Sequence, residues 1–184
     1  MPLQRPTVAL VQEYVALFGR DAECVACDCA LALIVKTFPH NREIAEVLLK
    51  VAAANQLYNA GLQTKAIYAV AGLICDLGVD GKLDQGSSDV VGEIAYGEIG
   101  ENERYVFATK YCHWHRPARY PIYDSIGSDL IWEYKKQDGF AQFQKKDLRR
   151  YPTYREIVDK FIGYYKLAGV SYRELDKFLW RYKG

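Results

Sequence analysis

The sequence predicts an all-α protein, and three observations carry that expectation. Apolar residues recur at helical spacing through nearly every segment, no stretch alternates with the period of two that marks a strand, and two Ser/Thr-x-x-Glu boxes stand ahead of apolar stripes. The chain has 184 residues, enough to bury a core without disulfides or a structural metal. Hydrophobic residues make up 50% and charged residues 26%, which is the globular range and excludes a disordered or collagen-like chain.

The elements follow in order. After Thr7, the set Val8, Val11, Val15, Phe18 repeats at helical spacing and stops at Gly19. Asp21 is placed to cap a second helix through CVACDCALALIVKTF, which Pro39 ends. Ile44, Val47, Leu48 and Val51 mark the buried stripe of a third helix, reaching Asn55 and Gln56 before a break at Asn59-Ala60-Gly61. A fourth spans about Leu62 to Leu77. Six glycines with Asp and Ser make 76–101 the loosest stretch, expected as loops and short turns. A helix resumes over Asn102 to His115. The segment RPARYPIYDS is extended, because a residue before proline avoids the α region, and another helix begins near Ile126. Capping boxes at Thr153–Glu156 and Ser171–Glu174 open the last two helices, striped by Tyr154, Ile157, Val158, Phe161, Tyr165 and by Tyr172, Leu175, Leu179, Tyr182.

Charge is unevenly spread. Residues 101–184 hold 17 of the 24 Lys and Arg against 11 of the 23 Asp and Glu, so the first hundred residues are net acidic. The same stretch holds 11 of the 15 tyrosines and all three tryptophans. Cations interleaved with aromatics suit a phosphate backbone and unstacked bases, and equally suit tyrosines packed at helix contacts beneath a basic coat. Apolar runs fall short of bilayer length, and MPLQRPTVAL lacks the layout of a signal peptide. Five cysteines, an odd number, read as reduced thiols. The expectation is a cytoplasmic protein with no membrane contact and no obligate protein partner.

The motif search narrows the chemistry. No Walker loop, dinucleotide fingerprint, HExxH or GxSxG element is present, and no cofactor is expected. Cys24, Cys27, Cys29 and Cys112 lack the second cysteine pair of a tetrahedral site, so no metal is expected either. Cys112 beside His113 has the residue types of a nucleophile and base, but neighbours along one helix point in different directions. FATKYCHWHRPARYPIYDS is more informative: it ends a helix rich in hydrogen-bonding groups, crosses a proline-containing strap and delivers Asp124 at a new helix. Asp124, or the following Ser125, reads as that helix's N-cap, and Asp124 also reads as a carboxylate beside a cleft between helical lobes, stabilising a cation or activating water. The two readings are compatible.

In order, these pieces resemble the helix-hairpin-helix (HhH-GPD) DNA glycosylase superfamily, the group of endonuclease III and oxoguanine glycosylase. EIAEVLLKVAAANQLYNAGL is similar to that family's helix ending in a polar wedge. NERYVFATKYCHW is similar to the stretch behind its hairpin, and Tyr120-Pro121-Ile122-Tyr123-Asp124 to the strap that delivers its catalytic aspartate. The resemblance covers about 41–135 and implies a two-lobed helical fold, a single domain over 1–184. The basic, aromatic-rich segment 136–184 would pack back on the N-terminal helices. It implies Asp124 as the catalytic carboxylate, with Lys110 as an outside candidate. Asn55 or Gln56 would be the wedge, and Tyr58, His113, Trp114, His115 and Tyr123 the groups sandwiching or reading a flipped base. Ser125, Arg116, Arg119, Lys145, Lys146, Arg149 and Arg150 would hold the DNA backbone.

The sequence also departs from the pattern. Only Gly97-Glu98-Ile99-Gly100 lies near the expected hairpin, which is therefore degenerate, and no four-cysteine cluster loop is present. Where bifunctional members carry a lysine the chain has Tyr105 and Val106, with Lys110 lying 14 residues before Asp124. The implied activity is thus monofunctional removal of a modified or damaged base, leaving an abasic site. Divergence from the repair enzymes suggests hypermodified phage DNA as target, in antiviral defence. The rival expectation is a non-catalytic DNA-binding module built on the same fold.

Overall fold

A computed structural model describes residues 2–97 and 104–182. Among them are ten α-helices, two 3₁₀ turns and no strand, so the chain is all-helical. It divides into two units, one made of 1–25 with 121–184 and the other of 26–120. The expected 41–135 core is therefore shared between the two units.

The first unit holds α1 (Val8–Gly19), α8 (Ser125–Asp138), a 3₁₀ turn (Lys145–Arg149), α9 (Tyr151–Tyr164) and α10 (Tyr172–Arg181). Thr7 caps α1, its hydroxyl accepting from the Leu10 N–H at 3.1 Å. At α10 the box reads as expected: Ser171 accepts from the Glu174 N–H while the Glu174 carboxylate accepts from the Ser171 N–H. The box expected at Thr153 does not form. Helix α9 starts three residues earlier, with Arg150 rather than Thr153 at the N-cap position, Pro152 in its first turn and no side-chain cap. Proline's fixed φ suits that turn, and its missing N–H is one the helix start leaves unpaired anyway.

Helix α1 packs on α10, and α10 on α8. Between them lies an aromatic core. Tyr134 meets Phe161 edge-on at 5.5 Å, Phe161 meets Tyr165 at 4.6 Å, and Tyr14 meets Phe178 edge-on at 5.6 Å. The phenols are satisfied: Tyr134 donates to the Gln4 carbonyl at 2.8 Å and Tyr165 to Asp138 at 2.7 Å. Of the 11 tyrosines after residue 100, nine are buried, leaving Tyr164 and Tyr172 with exposed surface. The tyrosine richness of this half is thus mainly core, and its cations form the coat.

Helix α2 (Ala22–Thr37), capped by Asp21 at the Cys24 N–H (3.1 Å), carries the chain into the second unit. There α3 (Ile44–Leu57) packs on α4 (Ile67–Asp76) and α7 (Tyr105–His115), and α6 (Asp89–Tyr96) packs on α7. A 3₁₀ turn (Thr64–Ala66) takes the place expected for the start of α4. The stretch read as loops instead forms α5 (Asp80–Gln85) and α6, joined at Gly86, whose φ of +71° lies in the left-handed region. Fully buried Val79, Leu83, Val90, Val91 and Ile94 outweigh its glycines. Of the Gly97–Gly100 segment read as the hairpin, all but Gly97 lies outside the described residues. Helix α7 is buried at nine of its eleven residues, which makes it the centre of this unit.

Candidate functional site

In the first unit the strap leading to Asp124 is buried and pinned. Tyr151 donates to the Pro121 carbonyl at 3.1 Å and Tyr154 to the Ile122 carbonyl at 2.6 Å, while the Tyr123 ring meets Tyr154 edge-on at 5.3 Å. Asp124 is extended (φ −139°, ψ 169°) and half-buried, and its Oδ1 accepts the Gly127 N–H at 2.7 Å as the N-cap of α8. A Cβ on Gly127 would stand 3.3 Å from that oxygen and 3.5 Å from Leu179 Cβ, so glycine permits the close approach. The N-cap reading of Asp124 therefore holds, and one oxygen does the capping.

The basic 3₁₀ turn belongs to the same unit. The Arg149 guanidinium lies 5.9 Å from the Tyr123 ring. Lys145 pairs with Asp129 at 2.8 Å, and that hydrogen bond holds its ammonium above the usual lysine range. Lys146 and Arg150 are exposed. Ser125 is the exposed first residue of α8, its carbonyl accepting from the Ser128 hydroxyl at 3.1 Å.

In the second unit four of the remaining candidates come together. Lys110 is buried, donates to the Tyr58 carbonyl at 2.8 Å and stands 5.7 Å from the Tyr58 ring centroid. Trp114 meets Tyr58 edge-on at 5.5 Å and His113 at 5.9 Å. The Tyr58 hydroxyl donates to Asp28 on α2, and His113 Nδ1 lies 2.7 Å from the Tyr120 carbonyl. His115 points elsewhere. Asn55 does not extend as a wedge: its amide donates to the Leu62 carbonyl (3.1 Å) and accepts from the Leu62 N–H (2.8 Å), closing the loop after α3. Gln56 is exposed. Arg116 is ion-paired with Asp84 and donates to the His115 carbonyl at 2.6 Å. Arg119 lies over Gly86, its Cδ 3.1 Å from where a Cβ would stand. Both arginines brace α5 and its turn.

A buried polar cluster in this unit was absent from the sequence reading. Lys50 donates to the carbonyls of Phe38 (2.9 Å) and His40 (2.6 Å) and to Asn41 Oδ1 (2.8 Å). Tyr111 donates to the same Asn41 oxygen at 2.6 Å, and the Asn41 amide donates to Asp80 at 2.7 Å. Burial lowers the Lys50 ammonium to about 8. His115 lies tilted against Tyr111, ring centroids 4.9 Å apart, with neither ring nitrogen hydrogen-bonded; burial, then the charges of Lys50 and Arg116, push it down to about 3. The signal was in the helix phase: Lys50 shares the face of Val47, Val51 and Ala54, all buried.

Burial also pushes the Cys112 thiol well above its ordinary range, which disfavours the thiolate a nucleophile needs. Among the described residues no group of three or more His, Cys, Asp or Glu could hold a metal ion. No helix there is long and apolar enough to cross a membrane.

Residues 10–119 match the HI_0787_N family, an N-terminal domain. A Haemophilus influenzae protein described as uncharacterized is 34% identical over 140 residues, covering 74% of this chain. The match covers 66% of that relative's own length. No solved structure matches.

Proposed function

We propose that this chain, which belongs to the HI_0787_N family, acts on DNA as a monofunctional glycosylase with Asp124 as its catalytic carboxylate. The observation that carries the reading is the fixed position of Asp124. A buried strap, pinned by two tyrosine hydroxyls, ends in a carboxylate whose Oδ1 is tied to Gly127. That tie leaves Oδ2 in one orientation. Cleavage of an N-glycosidic bond builds positive charge on the sugar, and a preorganised carboxylate stabilises it or accepts the proton of the attacking water. Arg149, Lys145, Lys146 and Arg150 in the same unit supply charge for phosphates. In the second unit, the Tyr58, Trp114 and His113 rings with Lys110 offer flat faces and polar edges of the kind a nucleobase uses.

The test is alkali-revealed strand breakage on a panel of genomic DNAs carrying different natural base modifications, hypermodified phage DNA among them. Wild type should break one class of DNA, and Asp124→Asn should lose that activity while keeping its affinity. A second reading, a DNA-binding module without chemistry, draws on the same Gly127 bond, since a cap needs no substrate. It predicts no breaks with any DNA, salt-sensitive binding, and an Asp124→Asn variant altered in stability alone.

A further inference from the structure

The C-terminal helix carries a cation row that neither the strap nor the 3₁₀ turn explains. Arg173, Lys177 and Arg181 stand at i, i+4 and i+8 on α10, about 6 Å apart along its axis. All three lie over the ring of Phe18 on α1, with Lys177 Nζ 4.3 Å, Arg173 Cζ 5.3 Å and Arg181 Cζ 5.8 Å from its centroid. Beside them is Trp180, 39% exposed, edge-on to Phe18 at 6.2 Å and 5.6 Å from the Arg181 guanidinium. Asp176 pairs with Arg173 and Asp21 with Arg181.

We infer that this α1/α10 face binds a nucleic-acid strand, its cations along the phosphates and the Trp180 indole as a stacking platform for an unpaired base. The inference rests on the reading of the chain as a DNA-binding protein, not on base excision. A row of cations at one repeat is complementary to a polymer with one anion per repeat, and an exposed aromatic beside such a row is how single strands are held without sequence preference. The Phe18 ring restrains the three cations before the ligand arrives, so less side-chain freedom is lost on binding. Asp176 and Asp21 are among the groups a phosphate must outcompete: the Arg173–Asp176 pair is mostly covered, its side chains 15% and 13% exposed, while the Arg181–Asp21 pair is more open, at 26% and 35%.

The experiment is fluorescence anisotropy with a labelled single-stranded oligonucleotide over a salt series. Expected are a fivefold or greater loss of affinity in Arg173→Gln/Lys177→Gln and a salt slope lower by between one and two. Lys160→Gln/Lys166→Gln, which removes the same charge from the exposed surface of α9 and the turn after it, should change affinity much less. Asp176→Asn should tighten binding, an outcome a purely structural ion pair does not give. Indole quenching by the oligonucleotide should disappear in Trp180→Leu. Equal losses in both double variants, unchanged or weaker binding in Asp176→Asn, quenching that survives Trp180→Leu, or capture of phosphatidylserine vesicles in place of the oligonucleotide would each overturn the assignment. No wild-type binding overturns it as well. Loss of base release with binding intact bears on the glycosylase reading alone.

Discussion

His115 is held in a state that acid must disrupt. Its ordinary pKa is near 6.5 and in the fold it is lowered to about 3, so between those values the unfolded chain binds a proton that the folded chain refuses. Stability therefore falls as pH drops below 6.5, by up to about 1.4 kcal/mol per pH unit from this group. Lys50 acts in another window: lowered to about 8 from 10.5, it is charged in both states below pH 8, and stability rises with pH between 8 and 10.5. His115→Phe keeps a ring against Tyr111 and removes the two unpaired nitrogens. Urea midpoints at pH 7, 6 and 5 should show a shallower acid slope in the variant than in wild type, and equal slopes would sink the argument. Lys50→Met leaves the Phe38 and His40 carbonyls and an Asn41 lone pair without their donor. It should cost ~3 kcal/mol or more, read from the same midpoints at pH 7. Tyr111 still reaches Asn41, so part of the cluster persists.

At the scale of elements, two sequence boxes that look alike separate in the structure. Ser171 caps α10, so Ser171→Ala should lower stability by about 1 kcal/mol, with faster amide exchange in the first turn of α10. Thr153 lies inside α9, and Thr153→Ala should cost nothing, since alanine has the higher helix propensity. Equal losses in the two variants would mean that Thr153 is the cap after all. The spacing T-x-x-E alone does not distinguish them; Pro152, one residue earlier, does. The α5–α6 turn shows the opposite difficulty. Its glycines read as loops by composition, yet among the described residues of 76–101 only Gly78 and Gly86 adopt positive φ. Gly86→Ala meets both the left-handed backbone and Arg119 at 3.1 Å, and should destabilise the chain by about 1 kcal/mol or more in thermal unfolding. Helix starts marked by Thr7, Asp21, Asp124 and Ser171 were legible because a short polar side chain must answer an unpaired N–H there. Burial of Lys50 and the bracing by Arg116 and Arg119 were not, because long cations read as surface until a partner from another segment is in view.

Across the whole molecule, the charge division seen along the sequence survives folding in altered form. The first unit carries 15 Lys and Arg against 12 Asp and Glu, and the second 9 against 11. The basic unit also holds Asp124, and most of its tyrosines are buried, so under the proposed DNA-binding reading the attraction for phosphates falls to cations rather than to stacked phenols. Under the proposed DNA-binding reading, Lys145, Lys146, Arg149 and Arg150 carry a measurable share of the affinity. Each cation neutralising a phosphate releases condensed counterions, and its loss lowers the salt slope by about one for a duplex. Replacing all four with glutamine should reduce the slope by up to about four between 50 and 200 mM salt. Lys145 should contribute less than Lys146, because its pairing with Asp129 already holds its charge. Under the glycosylase reading the same variant should keep single-turnover base release once protein is raised to saturation, because these side chains bind without entering the chemistry. Gly127→Ala should do the reverse: a methyl 3.3 Å from Asp124 Oδ1 displaces the carboxylate, so release slows while the salt slope stays as in wild type. If the basic turn set the chemistry, or Gly127 set the affinity, the two variants would exchange phenotypes, and the separation of binding from catalysis within this unit would be wrong.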